Sequence, residues 1–316
     1  MLQLIAKRVL YGFLILNVMT ILLFLVVRLV PGDPVRVQLA DAAVPQERID
    51  ELVAELGLDK PVWQQLADWY VNAVQGDFGT SFATGRPVGA LIAERLSLTL
   101  ELTVLAVTVA VLLGIVIGVV SAVRRNSLLD NVLRIGAVVG LSMPNFWLGL
   151  LLLTFTSIVL HWVPPLTYRG LFEDPVQNLT QMLLPATALG VALAASVARI
   201  SRSSMLEVLG SDFIRTHRAK GLPERLVLFR HALRNSLIPV LTLIGIQIGG
   251  LLGGTVILEQ IFALPGLGRT VFEAVSNRDY PVLQVCVLLY GAIFILVNLM
   301  VDISYGWVNP RMRKAE

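Results

Sequence analysis

The chain reads as an all-α membrane protein that crosses the bilayer six times. Three observations predict this class. It is 56% hydrophobic and only 15% charged, with a mean hydropathy of +0.76, whereas a soluble domain carries about 25% charged residues. Six apolar runs reach the ~20 residues that a helix needs to span a bilayer. Lys and Arg are spread unevenly over the segments that join those runs.

The first run lies near Val9–Val30. It is long for a signal peptide, and the following Pro31-Gly32-Asp33-Pro34 offers no small-x-small cleavage pattern, so a retained helix is expected. A segment of nearly 70 residues, Pro31 to Leu98, comes next and carries two helix signatures. Pro45 opens the first; Ile49, Leu52, Val53 and Leu56 form one apolar stripe, and Gly57 closes it. Pro61 opens the second; Val62, Leu66, Trp69, Tyr70 and Ala73 follow, and Gly76 ends it. A turn-rich stretch, Gly76-Asp77-Phe78-Gly79-Thr80-Ser81 and Gly85-Arg86-Pro87-Val88, completes a small folded cap. Such a cap fits a dock for an external partner, a vestibule wall, or a cover that only packs on helix ends.

The other runs lie near Leu100–Val123, Val132–Leu160, Met182–Ala198, Leu237–Leu258 and Val282–Tyr305. Pro144, in Ser142-Met143-Pro144-Asn145-Phe146-Trp147, should kink the third and free a carbonyl one turn back. The kink either lines a pathway with Asn145 or is structural. Gly245, Gly249 and Gly253 repeat a small-xxx-small spacing, as do Gly250 with Gly254 and Gly114 with Gly118. These faces let helices approach closely, within this chain or against a partner. The expected organisation is a terminal span over 1–30, the cap over 31–98, a membrane core over 99–306 and a tail over 307–316.

With the N-terminus in the cytoplasm, the inner segments hold 16 of the 25 Lys and Arg, and 16 of the 22 acidic residues fall outside. The positive-inside rule therefore places both termini in the cytoplasm. The span interiors lack Asp, Glu, Lys and Arg; Glu101, Glu259 and Asp302 lie near span ends, where water or snorkelling is expected to serve them. An ion-coupled carrier would need mid-span charges, so that class is disfavoured. No Gly-x-x-x-x-Gly-Lys-Ser/Thr phosphate loop and no Gly-x-Ser-x-Gly elbow occurs. His161, His217 and His231 are too scattered in sequence to suggest a metal site, and Cys286 reads as a small packed thiol. If the chain moves a substrate, the energy must come from another protein.

The largest inner segment is the 41-residue stretch from Arg199 to Pro239. Ser211-Asp212 can cap a short helix to Lys220, Gly221 can end it in a left-handed turn, and Pro223 can open a second helix to about Asn235. The result is a compact basic knob. Topology explains most of its cations, so nucleic acid is not expected as a partner.

At this point the sequence resembles the permease subunits of ATP-binding-cassette importers, in their dipeptide/oligopeptide branch and its first permease type. The resemblance runs nearly the full length. It includes Pro31-Gly32-Asp33-Pro34, Gly57-Leu58-Asp59-Lys60-Pro61, Gly76 to Ser81, Pro144 to Gly149 and Leu184-Pro185-Ala186. It continues through Arg215 to Leu222, Arg230 to Asn235, Pro265-Gly266-Leu267-Gly268-Arg269 and Asn309-Pro310-Arg311. It implies the six-span fold of type I importers. Segment 199–236 would be the coupling loop, with Arg215, Thr216, His217, Arg218, Ala219, Lys220, Gly221 and Leu222 seated on an ATP-hydrolysing subunit. Where many importers begin this motif Glu-Ala-Ala, this chain has Arg215, Thr216 and His217. Pro144, Asn145, Gly245, Gly249 and Gly253 would belong to the pathway wall or its packing. The implied partners are a related second permease, two ATP-binding subunits carrying ATP and magnesium, and an extracytoplasmic binding protein. The chain itself would bind no cofactor and catalyse nothing. Its cargo would be di- or oligopeptides, or another small solute of the same branch such as a nickel chelate, glutathione, an opine or a sugar.

Overall fold

The computed structural model describes residues 2–29, 45–55 and 57–308. The Pro31–Pro34 and Asn309–Arg311 motifs, Leu56, and the side chains of Leu52 and Asp302 lie outside the described residues. The helices are α1 (Leu2–Leu29), α2 (Gln46–Glu55), α3 (Val62–Val74), α4 (Val88–Val123), α5 (Leu128–Ser142) and α6 (Asn145–Val159). They continue with α7 (Pro175–Leu209), α8 (Asp212–Ala219), the single turn α9 (Glu224–Leu226), a π turn (Val227–Ala232), α10 (Leu233–Ile261), α11 (Leu267–Ser276) and α12 (Tyr280–Val308). Five helices are long and apolar enough to cross a membrane, and the bent pair α5–α6 makes six if it counts as one span. The chain divides into two compact units.

The first unit runs to Thr99 and includes Pro265–Leu296. Its cap helices follow the signatures in the sequence. Beyond α2, Gly57 takes φ +66° and the Leu58 N–H donates to the Val53 carbonyl, a glycine C-cap. Pro61 precedes α3 and Gly76 ends it at φ +83°. The turn-rich stretch is tied down by Asp279, 3% exposed, which accepts from the Ser81 hydroxyl at 2.5 Å and from the Phe82 and Ala83 N–H groups at 3.1 and 3.2 Å. Val88, Leu91, Ile92, Leu267, Val285 and Cys286 form the apolar core beneath it, with the Cys286 thiol packed as expected. The first three belong to α4, which starts well before the apolar run at Leu100 because Val88, Leu91 and Ile92 lie at helical spacing on one buried face.

The second unit is Leu100–Leu264 with the chain from Val297. Its core helix is α7: 67% of its apolar window is buried, against 28% or less for the other spans. Small residues allow this. A Cβ at Gly114 or Gly118 of α4 would stand 2.6 Å from Val197 or 2.5 Å from Ser201, and one at Gly190 of α7 would stand 2.7 Å from Val109. These glycines therefore serve packing within the chain. Glu259 is fully buried, so burial replaces the expected service by water. Glu101 is partly buried and accepts from the Tyr168 hydroxyl at 3.1 Å.

Two prolines behave differently. The expected kink at Pro144 is a break: α5 and α6 meet at 106°, with Met143 and Pro144 extended at ψ 124° and 139°. Proline removes a donor and disfavours helix at the preceding residue. Pro185 lies inside α7 without breaking it. It is buried in the unit's core.

Candidate functional site

The Arg199–Pro239 segment is less loop than its composition suggests. α7 continues to Leu209, and the chain after Pro223 passes through the π turn directly into α10 with Pro239 inside it. The expected second short helix ending near Asn235 is therefore the start of a span. Only α8 and the Lys220–Pro223 turn project as a knob.

Ile214 fixes α8. It is fully buried against Met205, Val227, Ala232 and Ala122. Ser211 stands at the N-cap position, but its hydroxyl donates backward to the Val208 carbonyl at 2.6 Å, so the expected side-chain cap is absent. Asp212 pairs with Arg215 at 3.1 Å, one turn along; both are well exposed, and such pairs contribute little. Gly221 takes φ +74°, and its N–H donates to the Arg218 carbonyl at 2.9 Å. The Arg218 guanidinium reaches across the turn to both Glu224 oxygens, at 2.6 and 3.2 Å. That contact holds the Arg218 pKa above its ordinary value. Arg215, Thr216, Arg218, Ala219, Lys220 and Gly221 are exposed, while His217 and Leu222 are half-buried. The motif thus presents cations and a small flat stretch on a rigidly footed helix.

Two of the scattered histidines meet here. The His217 and His231 rings stack at 4.1 Å with 21° between planes, and Phe213 packs edge-on to both. Among the described residues no group of three or more metal-ligand types forms. Burial, then the nearby His231 and Lys220, lowers the His217 pKa from its ordinary 6.5. The folded state therefore binds fewer protons than the unfolded chain just below pH 6.5. Stability of the knob should be complete above that value and fall as pH drops below it. Protection factors of the α8 amides, which take out the intrinsic pH dependence of exchange, should fall between pH 7.5 and 5.5, and His217→Phe should flatten that dependence; equal slopes in both proteins would refute the assignment.

The expected pathway residues separate. A cavity of about 230 Å³ is lined by Asn145, Leu189, Ala192, Leu193, Gln247, Gly250 and Leu251. Asn145 faces it as the first residue of α6, just past Pro144. Gly245 instead packs against Val301, where a Cβ would collide, while one at Gly253 would meet nothing within 4 Å. Gly249, half-buried, lies between them on α10. The glycine spacing is therefore not one packing face. Gln247 was not evident as a site residue: a lone amide in an apolar run carries no spacing signal.

Known proteins agree with this architecture. The family described as "Binding-protein-dependent transport system inner membrane component" matches residues 114–314, and the N-terminal component of such systems matches residues 1–103. The dipeptide transport system permease protein DppB of Escherichia coli strain K12 is 42% identical over 93% of this chain and 94% of its own. The di/tripeptide transport system permease protein DppB of Pseudomonas aeruginosa is 42% identical over 99% of each. A solved inward-facing structure of the MetNI methionine ABC transporter superposes with TM-score 0.57 at 19% identity, covering 69% of this chain and 96% of the other. That likeness carries the helical fold alone. The chain belongs to the family of binding-protein-dependent transport system inner membrane components.

Proposed function

We propose that this chain is one permease of an ATP-driven importer of di- and oligopeptides in a bacterial inner membrane. The observation that carries the reading is 42% identity to dipeptide and di/tripeptide permeases over nearly the entire chain. A related permease would complete the pathway, two subunits would bind ATP and magnesium, and an extracytoplasmic protein would deliver the peptide. Both termini and the α8 knob lie on the cytoplasmic side in this reading, because the inner segments then hold 16 of the 25 Lys and Arg. The cap over 31–98 faces the binding protein.

The chain's role is mechanical and non-catalytic. Residues Arg215–Leu222 seat on an ATP-binding subunit, and movement there rotates the spans as rigid bodies. The break at Pro144, with Asn145, and the glycine-rich α10 form part of the pathway wall. The test is uptake of a labelled dipeptide into proteoliposomes holding the full complex, with binding protein outside and ATP inside. ATP-dependent accumulation is expected. Accumulation of a nickel chelate, glutathione, an opine or a sugar in place of any peptide would overturn the assignment of cargo.

A further inference from the structure

Gln247 stands at the midpoint of α10, with Leu233 and Ile261 at its ends, and faces the same cavity as Asn145. Each primary amide offers one carbonyl acceptor and two N–H donors. Neither amide makes a hydrogen bond among the described residues. The rest of the lining is Leu189, Ala192, Leu193, Leu251 and Gly250, so among the described lining residues these two carry the side-chain amides. Polar groups in a span are costly unless they face water or a ligand, and they mark substrate pathways. The space beside them is kept clear. A Cβ on Gly250 would meet nothing within 4 Å, and one on Gly254 would stand 3.5 Å from Asn145 Nδ2. No Asp, Glu, Lys or Arg occurs in α6, or in α10 between Asn235 and Leu258.

We infer that Asn145 and Gln247 form a neutral station that hydrogen-bonds the main-chain amide of a passing peptide. The inference rests on the peptide-import reading and adds what the pathway recognises. A donor–acceptor pair without charge matches the N–H and C=O of any peptide bond and is indifferent to side chains. It holds the peptide weakly enough to release it, since each such bond contributes only modestly in net terms.

The test uses the complete reconstituted complex and two substrates: a dipeptide, and the same dipeptide methylated on its peptide nitrogen. The quantity read is the ratio of their uptake efficiencies with one binding protein, so that protein's own preference cancels between permeases. Gln247→Met, which keeps length and removes the amide, and Asn145→Leu should each raise the KM for the dipeptide by about tenfold. Both should reduce discrimination against the methylated peptide. Asn145→Gln should restore part of the discrimination. Wild-type KM and wild-type discrimination in both Gln247→Met and Asn145→Leu would overturn the station with the import reading intact. Absence of peptide uptake by the wild-type complex would overturn that reading, and the station with it.

Discussion

Replacing Gly221 by valine is expected to abolish ATP-driven uptake while the protein still inserts in the membrane at normal abundance. Gly221 holds φ +74° at the tip of the knob, and a Cβ there would meet nothing within 4 Å. The penalty is therefore purely conformational: about 1–2 kcal/mol for an L-residue in the left-handed region, and more for a β-branched one. The turn relieves it by leaving that region. The Gly221–Arg218 backbone bond and the Arg218–Glu224 clamp then lose their geometry, and the end of α8 and its turn are displaced. Ile214 still anchors the start of α8 against Met205, Val227, Ala232 and Ala122, so the change stays local to the tip of the knob. Asparagine tolerates positive φ best among non-glycine residues. Uptake should thus rank glycine, asparagine, alanine, valine, with ATP hydrolysis no longer stimulated by loaded binding protein in the last. Normal uptake by Gly221→Val would sink the coupling role.

The largest loss of stability should follow Asp130→Leu. Asp130 is fully buried at the start of α5. It accepts from the Ser121 hydroxyl, from the Asn126 N–H at 2.9 Å, and from Arg202 through Nε at 2.9 Å and Nη2 at 2.8 Å. The two-pronged contact gives both charges hydrogen-bonded partners where they leave water. Removing only the carboxylate strands the guanidinium, which costs about 3–5 kcal/mol for a buried pair. The lower end applies, because the Arg202 side chain retains 20% exposure and can reach water. Asp130→Leu combined with Arg202→Met should recover most of the loss, since the stranded charge goes too. Thermal melts of the detergent-solubilised protein would decide: a single variant no less stable than the double variant would contradict the account.

How far each feature could be read from the sequence depends on the range of the forces that set it. The spans and the cap helices are local: apolar runs long enough to cross, Pro45 and Pro61 at helix starts, and Gly57, Gly76 and Gly221 at positive φ just past helix ends. The helix and glycine turn from Arg215 to Leu222 are equally local. Proline was ambiguous, because Pro144 and Pro185 both sit in apolar runs. The structure shows that the first breaks its helix and the second does not.

The candidate sites divide in the same way. Sequence alone determined an all-helical membrane chain, the uneven spread of its cations over the segments between spans, the glycine turn of the knob and the absence of a phosphate loop. Each follows from hydrophobicity, backbone sterics or charge counted along the chain. Tertiary structure alone decided that His217 stacks on His231, that Asp130 finds Arg202, that Glu259 is buried, and that Gln247 shares a cavity with Asn145. The physical reason is common to all four. These contacts join residues on different helices, and no periodicity within one helix encodes which face of another it will meet.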